Sequence, residues 1–354
     1  MSRLPGLTIG NIKRPFCIIQ GGMGARVSGP KLTKEVFHCG GLGVLSSAGL
    51  KDFYTILRGR AYTTYAAVRE EIETAMEGGC LVGLNVMRIL DESYDETIQA
   101  ALDAKVSAIF FGAGLPKQIK DSADTAYILI VSSARTLKII LSRWRRRPDA
   151  IVVEGRRAGG HLGFRLEDIE GPGFSLEEFL PEVLEIAGDI PVIVAGGIYT
   201  HEDIHRFLKM GASGVQMGTR FLATMESGAT DDFKQAVVAC EKEDIIVVNN
   251  SPCGGFPFRI LRGSPAYQEL LAGTRHPRCR MGYVLGKDKE GKYTVCKAHP
   301  RHPARNQHFC ICDALRAAVG LAPDTAPMYT VGSNAYRVKK IIPVAELMTE
   351  LVFG

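Results

Sequence analysis

The sequence predicts an α/β fold, a (β/α)8 TIM barrel followed by an irregular Cys/His-rich C-terminal extension. Short apolar, β-branched runs alternate eight times with helical patterns from the N-terminus to about residue 225. The runs are continuously apolar, which is typical of parallel strands that are covered on both faces. Eight such units close into a barrel. An open, doubly wound sheet would also accommodate the alternation and is the competing fold.

The composition is that of a globular chain with a large core. Of the 354 residues, 46% are hydrophobic and 23% are charged, which excludes a fibrous or globally disordered protein. The 39 glycines make up about 11% of the chain, above the usual share of about 7%. Surplus glycine is expected where the backbone turns tightly or approaches a ligand.

The eight predicted strands are short, as buried parallel strands usually are. In chain order they cover residues 17–20, 43–46, 82–86, 108–111, 127–131, 150–154, 191–195 and 214–217. Helices are predicted between them, and two have clear ends. Ser175 is the expected N-cap of a helix over residues 175–187, and Thr200 is that of a helix over residues 200–210 that stops before Gly211.

The strand–helix rhythm breaks after residue 225. A helix over 233–240 and a short apolar run over 245–248 are followed by a stretch to residue 306 with many Gly, Pro, Arg and His residues and little periodicity. Two more helices are predicted over 313–319 and 344–352. We therefore divide the chain into a barrel, 1–248, and an irregular extension packed on it, 249–354.

The loops that follow the strands carry the candidate site, because barrel enzymes bind ligands at the C-terminal ends of their strands. Residues 21–24 follow strand one and hold three glycines, which form either a surface for a ligand or a tight turn. Glycines also follow strands seven and eight, at Gly197 and Gly218, where many barrels hold a phosphate. One phosphate beside a flat, glycine-lined cleft favours FMN as the cofactor.

Two polar residues near these loops have both a structural and a functional interpretation. Asn85 lies in the apolar third strand, where its amide must either brace a neighbouring strand or meet a ligand. His161 follows two glycines in the loop after strand six, where it is either a structural or surface histidine or a catalytic one.

Five motifs occur in order and carry a resemblance to a known family. They are Gly21-Gly22-Met23-Gly24, Gly83-Leu84-Asn85, Glu154-Gly155 with Ala158-Gly159-Gly160-His161, Ala195-Gly196-Gly197-Ile198, and Gln216-Met217-Gly218-Thr219-Arg220-Phe221. Together they resemble the nitronate monooxygenase (2-nitropropane dioxygenase-like) flavoproteins, which are related to the flavin-dependent enoyl-acyl-carrier-protein reductases. The resemblance covers roughly residues 14 to 260.

The resemblance implies a non-covalent FMN at the barrel mouth and names the residues that would hold it. His161 matches the family's catalytic histidine, a proton-transfer group near flavin and substrate. Arg157 departs from the pattern, because many members carry an acidic residue at this position. The cofactor-binding residues implied are Gly22, Met23, Asn85, Glu154, Gly159, Gly160, Gly196, Gly197, Gln216, Met217, Gly218 and Thr219.

The function implied is that of an FMN-dependent oxidoreductase that oxidises alkyl nitronates with the flavin and oxygen. An NAD(P)H-dependent enoyl-thioester reductase is the alternative within the same superfamily. A flavin-binding partner module without turnover is the alternative from another class. The small-molecule substrate is therefore a nitronate or an enoyl thioester.

Soft metal ligands gather in the extension. Residues 276–312 contain Cys279, Cys296, Cys310 and Cys312 together with four histidines. Such a set favours zinc or an iron–sulfur cluster, but the spacing contains no C-x2-C pair. Free thiols in a basic loop and a redox-active disulfide are the other interpretations.

Charge and hydropathy suggest the compartment and the partners. The net charge is +5, with a basic run at residues 143–147 that we assign to the fifth helix. This run is either a solvated surface or a docking site for an acidic carrier protein or the phosphate of NADPH. Nucleic acid is disfavoured because aromatic residues do not alternate with the basic ones. The sequence shows neither a signal peptide nor a long apolar span, so we expect a cytoplasmic protein without membrane contact. Its sequence is compatible with an oligomer.

Overall fold

The predicted (β/α)8 barrel is confirmed. The computed structural model describes residues 3–88, 90–251, 256–276, 284–287 and 293–354. Eight parallel strands form a closed barrel whose last strand pairs with its first, with Val215 opposite Ile18 and Met217 opposite Gln20. The open doubly wound sheet is thereby excluded.

The barrel strands agree with the predicted ones to within two residues at either end. They are β3 to β8, β10 and β11, and the closed order is β10-β11-β3-β4-β5-β6-β7-β8. The strands of the described residues are β1 (Leu7–Ile9), β2 (Ile12–Arg14), β3 (Ile18–Gln20), β4 (Leu42–Ser46), β5 (Val82–Met87), β6 (Ala108–Gly112), β7 (Ala126–Val131), β8 (Ala150–Glu154), β9 (Gly160–His161), β10 (Val192–Ala195), β11 (Gly214–Met217), β12 (Ile245–Val248), β13 (Phe258–Leu261), β14 (Val284–Lys287) and β15 (Tyr293–Val295).

The helices surround the barrel, and two begin with the predicted caps. Ser175 and Thr200 each form a capping box, in which the cap side chain and an acidic residue three positions on satisfy each other's backbone N–H groups. The helices of the described residues are α1 (Pro30–His38), α2 (Leu50–Arg58), α3 (Thr64–Met76), α4 (Asp91–Asp103), α5 (Ala134–Arg143), α6 (Leu176–Ala187), α7 (His201–Lys209), α8 (Thr219–Leu222), α9 (Asp231–Ala239), α10 (Pro265–Ala272), α11 (Ile311–Ala317) and α12 (Val344–Phe353).

The two ends of the chain complete the barrel. The β1–β2 hairpin buries Leu7 and Ile9 in the same core as the barrel strands. Helix α12 lies against α1 and α7 and adds Leu347 and Leu351 to that core. Because α12 belongs to the segment assigned to the extension, the extension supplies part of the barrel's own outer layer. The division at residue 248 stays a prediction.

Two local expectations are corrected. Helix α5 ends at Arg143, so most of the basic run lies in the loop between α5 and β8, at the N-terminal ends of the strands. There Arg146 pairs with Asp149 and Asp121, and Arg147 pairs with Asp189. An acidic partner bound to this loop would lie on the face of the barrel opposite the candidate site.

The second correction concerns residues 249–306, which were expected to be irregular. They contain β13 and α10, and β13 pairs with both β12 and β9 in an antiparallel sheet. Pairing partners distant in sequence stabilise this strand, so local periodicity does not reveal it. No helix in the described part of the chain is both long enough and apolar enough to span a membrane.

We expect Leu347→Ala to lower the free energy of unfolding by about 2 to 5 kcal/mol, the usual cost of truncating a fully buried leucine. Leu347 is fully buried in the barrel core, whereas Thr349 on the same helix is exposed. Thr349→Ala is therefore the control and should change stability by about 0.5 kcal/mol or less. Urea unfolding of both variants measures the difference. Equal stabilities would mean that α12 is not part of the cooperative core.

Candidate active site

The loop after β3 lies flat against β5. A Cβ added at Gly22 would lie 2.5 Å from the Cβ of Asn85 and 3.0 Å from the backbone oxygen of Leu45. The backbone N–H of Gly21 donates to the carbonyl of Met217 at 2.9 Å, which joins this loop to the end of β11. The structure thus brings together Gly22, Asn85 and Met217, which sequence reasoning assigned to one site.

Two residues that sequence reasoning did not single out hold this loop. The Oγ atom of Ser28 accepts hydrogen bonds from the backbone N–H of Met23 at 2.9 Å and from Nε2 of Gln20 at 2.7 Å. Gln20 and Ser28 are fully buried. A glutamine in an apolar strand was the available signal, because a buried amide must find partners.

The far side of the same loop is held by an ion pair. Ala25 and Arg26 adopt left-handed backbone angles, with φ of 51° and 72°, a conformation that costs non-glycine residues about 1–2 kcal/mol each. The Nε atom of Arg26 donates to both carboxylate oxygens of Glu71, at 2.9 and 3.2 Å, and the Tyr54 hydroxyl donates to Glu71 at 2.8 Å. Burial raises the pKa of Glu71. This buried contact with α3 compensates for the unfavourable loop conformation.

The loop after β10 requires glycine at two positions. Gly196 and Gly197 have φ of 96° and 86°. A Cβ at Gly196 would lie 2.7 Å from the carbonyl oxygen of Gly155, and one at Gly197 would lie 2.7 Å from the Cβ of Arg157. The loops after β8 and β10 therefore pack backbone to backbone, as expected where a phosphate meets backbone N–H groups.

A C-terminal segment that sequence reasoning missed, residues 331–334, fastens the loops of this region together. A Cβ at Gly159 would lie 2.6 Å from the carbonyl carbon of Val331. The Gly332 N–H donates to Thr219 Oγ1 at 2.9 Å, and Asn334 Nδ2 donates to the Gly197 carbonyl at 2.5 Å. No local pattern marks this segment. Thr219 accepts in its bond and keeps its hydroxyl proton for another acceptor.

Two polar atoms at these loops are buried without a hydrogen-bond partner in the described part of the chain. They are Oε1 of Gln216, beside Gly21, and Oγ of Ser333. Buried polar atoms without partners are costly, so each is suited to meet a ligand group. Together with the glycine-lined cradle, these atoms fit a phosphorylated, hydrogen-bonding cofactor such as FMN.

The predicted acidic residue, Glu154, ends β8, and the predicted imidazole, that of His161, lies in the segment that follows. Burial raises the pKa of Glu154, the last residue of β8, to about 7. Burial lowers the pKa of His161 to about 4, so its imidazole is neutral at pH 7 and able to accept a proton. The Nε2 atom of His161 lies 3.2 Å from Ser251 Oγ, and its ring centroid lies 4.5 Å from that of Phe258.

Arg259 positions the loop that carries Gly159, Gly160 and His161. Its Nη1 atom donates to the carbonyls of Arg156 and Ala158, both at 2.6 Å. Burial lowers the pKa of this guanidinium to about 10. Strand β13, which carries Arg259, also pairs directly with β9, so one strand supports both the backbone and the ring of His161.

The cysteine-rich segment packs against this support. Ring centroids of Phe309 and Phe258 are 5.8 Å apart, and Nδ1 of His308 lies 3.0 Å from the carbonyl oxygen of Asn250. Cys279 lies outside the described residues. Within the described ranges, which include Cys296, Cys310 and Cys312, no group of three or more His, Cys, Asp or Glu residues could hold a metal ion. The metal interpretation stays a prediction.

The closed barrel with its glycine-lined mouth is a (β/α)8 barrel, the class of fold whose enzymes bind ligands at the C-terminal ends of the strands. A model of the nitronate monooxygenase family matches residues 56–354. The chain therefore belongs to the nitronate monooxygenase family and is a flavin-dependent oxidoreductase, as the five motifs predicted.

Curated relatives agree with this assignment, and solved structures share the fold. A probable nitronate monooxygenase of Staphylococcus saprophyticus is 27% identical over 290 residues, covering 75% of this chain and 77% of its own. A second relative, from Rhodococcus jostii, is 29% identical over 276 residues, covering 78% of this chain and 69% of its own. It is a (3aS,4S,5R,7aS)-5-hydroxy-7a-methyl-1-oxo-octahydro-1H-indene-4-carboxyl-CoA dehydrogenase. The structure of FabK from Thermotoga maritima has a TM-score of 0.70 at 24% identity, covering 95% of this chain and 91% of its own. The structure of nitroalkane oxidase from Streptomyces ansochromogenes has a TM-score of 0.67 at 23% identity, covering 96% of this chain and 95% of its own.

We expect Glu154→Gln to stabilise the flavin-free protein at pH 8 more than at pH 5. The pKa of Glu154 rises from an ordinary 4.5 to about 7 on folding. The folded state thus binds the proton more tightly, and the stability gained from it is lost as pH rises from about 4.5 through about 7. Glutamine is neutral at every pH and escapes this loss. Urea unfolding at the two pH values measures it.

The exposed Glu185→Gln is the matched control, because it removes the same charge without burial. A pH dependence of stability that is the same in Glu154→Gln and in the wild type would contradict the assignment.

Proposed function

We propose that this enzyme binds FMN non-covalently at the barrel mouth and oxidises alkyl nitronates with the flavin and oxygen, with His161 as proton-transfer group. The observation that carries the proposal is the position of His161 on the loop after β8, where Nε2 of its half-buried imidazole lies 3.2 Å from Ser251 Oγ and its ring packs on Phe258. The imidazole is neutral at pH 7, because burial lowers its pKa to about 4, and a neutral imidazole can accept a proton.

The residues at the mouth divide into groups by the part of the cofactor they would meet. When bound, FMN supplies the redox chemistry, taking electrons from the substrate and passing them to oxygen. Gly22 and Met23 offer a flat backbone surface, while Asn85, Glu154 and Gln216 offer hydrogen-bonding groups. Around the phosphate we place Gly159, Gly160, Gly196, Gly197, Met217, Gly218 and Thr219, together with Ser333.

The proton would reside on Nε2 of His161, the nitrogen that faces the Ser251 hydroxyl. A hydroxyl group both donates and accepts, so Ser251 supports either protonation state of this nitrogen. Burial disfavours the imidazolium form, so His161 readily gives up a proton that it has accepted. Arg259 holds the loop that carries His161 through the carbonyls of Arg156 and Ala158.

An NAD(P)H-dependent reductase of enoyl thioesters is the second candidate. The Rhodococcus relative is named for a carboxyl-CoA substrate, which favours a thioester. An anaerobic absorbance spectrum before and after NADPH addition separates the two candidates. Flavin that NADPH leaves oxidised and that turns over a nitronate in air supports the first proposal. Flavin that NADPH bleaches, with turnover of crotonyl thioester, supports the second, and protein that takes up no flavin refutes both.

We expect His161→Ala to retain bound FMN while turnover falls by a factor on the order of 10² to 10⁴, the usual contribution of general acid–base catalysis. Steady-state rates and the flavin-to-protein ratio measure the two effects. His38→Ala, at the exposed end of α1, is the control and should leave both unchanged. Full activity of His161→Ala would remove the proposed role of the histidine. If the protein is instead a flavin-binding module without turnover, the wild type and His161→Ala will both bind flavin and both be inactive.

We expect Gly197→Val to lose FMN. The position has φ of 86°, and a Cβ would lie 2.7 Å from Arg157, so the side chain would displace the phosphate-binding loop. The flavin-to-protein ratio after reconstitution and desalting measures the loss. Gly263→Val is the control, because nothing lies within 4 Å of a Cβ there. Stoichiometric flavin in Gly197→Val would refute the phosphate site.

A further inference from the structure

Three guanidinium groups, those of Arg156, Arg157 and Arg259, lie in or beside the loop after β8. Burial lowers the pKa of Arg259, the charge of Glu170 raises it, and the charges of Arg157 and Arg156 lower it. Within the described residues, none of these three arginines has a carboxylate oxygen within 4.0 Å. Like charges so close together repel each other unless an anion joins them. The acidic residues of the loop balance its arginines in number, yet within the described residues no carboxylate lies in contact with any of these three guanidinium groups.

Two of the three guanidinium groups are already engaged by backbone oxygens. Arg259 donates to the carbonyls of Arg156 and Ala158. Arg156 donates to the carbonyls of Asp168 and Gly171. Arg157 is exposed, and its guanidinium makes no hydrogen bond within the described residues. Of the three guanidinium groups, that of Arg157 is therefore the one available to bind a ligand.

Arg157 also lies beside the glycines of the phosphate site. Its side chain lines one cleft with Gly196 and Gly197, and its Cβ and Cδ would lie 2.7 and 2.9 Å from a Cβ on Gly197. Its carbonyl accepts the N–H of Ser333 at 3.0 Å, and the Ser333 hydroxyl is the buried group without a partner. The Arg157 side chain thus lies beside the two glycines, and its backbone binds the backbone of Ser333.

We propose that Arg157 is a direct ligand of the FMN phosphate and that its charge makes this enzyme select FMN over riboflavin. The proposal rests on FMN being the cofactor, as argued above. A phosphate monoester carries nearly two negative charges at neutral pH, and the planar guanidinium binds two of its oxygens at once. The phosphate would also offset part of the positive charge of the three arginines.

Flavin binding to the flavin-free protein tests the proposal without any activity assay. FMN and riboflavin are titrated against wild type, Arg157→Gln and Arg157→Lys, and flavin fluorescence gives each dissociation constant. Arg157→Gln should weaken FMN on the order of 10- to 100-fold, as expected for losing a hydrogen bond to a charged group. Riboflavin binding should not change. Arg157→Lys should restore part of the FMN affinity, because lysine returns the charge without the planar fork.

Ionic strength gives a readout that a purely structural role would not change. Wild-type FMN affinity should fall with added salt, and Arg157→Gln should show a weaker dependence. Arg206→Gln is the matched control. Arg206 lines the same cleft but is paired with Glu177 and Asp203, both at 3.3 Å, so its loss should leave the FMN-to-riboflavin ratio unchanged.

Three outcomes would overturn the assignment. Equal weakening of FMN and riboflavin in Arg157→Gln would make Arg157 a structural residue. Unchanged FMN affinity with a raised KM for NADPH or a CoA thioester would mean that Arg157 binds a phosphate of the second substrate. Wild-type protein that binds no FMN refutes the proposed function itself, whereas FMN affinity equal in wild type and Arg157→Gln refutes only the role of Arg157.

Discussion

The contact between backbone and backbone at the barrel mouth is the constraint on which the site depends. Gly159 meets Val331 and Gly332 at distances that leave no room for a Cβ, and Gly196 meets Gly155 in the same way. Any side chain at these positions would separate the loops after β8 and β10 and open the cradle. The glycines therefore do more than permit turns, because they allow three chain segments to share one small volume and present N–H groups to it.

Burial then determines the protonation of the groups around this cradle. It holds His161 neutral, raises the pKa of Glu154 to about 7 and lowers that of Arg259 to about 10. Each shift opposes the charged form of its group, so the mouth is a place where isolated charge is unfavourable. An anionic cofactor beside the arginines would reduce that cost, which explains how a cluster of like charges can persist next to the site.

The sequence predicts the barrel well because each strand and cap is encoded locally. The eight apolar runs and the caps at Ser175 and Thr200 need no distant partner to be recognised. The support of the site is different. Ser28 acts through Met23, Gly332 acts through Thr219, and β13 exists because β12 and β9 pair with it. These contacts join residues far apart in the chain, and a pattern of neighbouring residues does not contain them.

The extension contributes to both sides of the active site. On the side of the proposed phosphate site, residues 331–334 bind Thr219, Arg157 and Gly197. On the histidine side, Ser251 and β13 hold His161, and Phe309 packs behind Phe258. A chain cut after residue 248 would keep all eight barrel strands and all of the predicted cofactor-binding residues, yet lose contacts that hold the loops carrying them. The barrel and the extension are thus joined at the candidate site, where Phe309 of the cysteine-rich segment packs on Phe258, the ring that contacts His161.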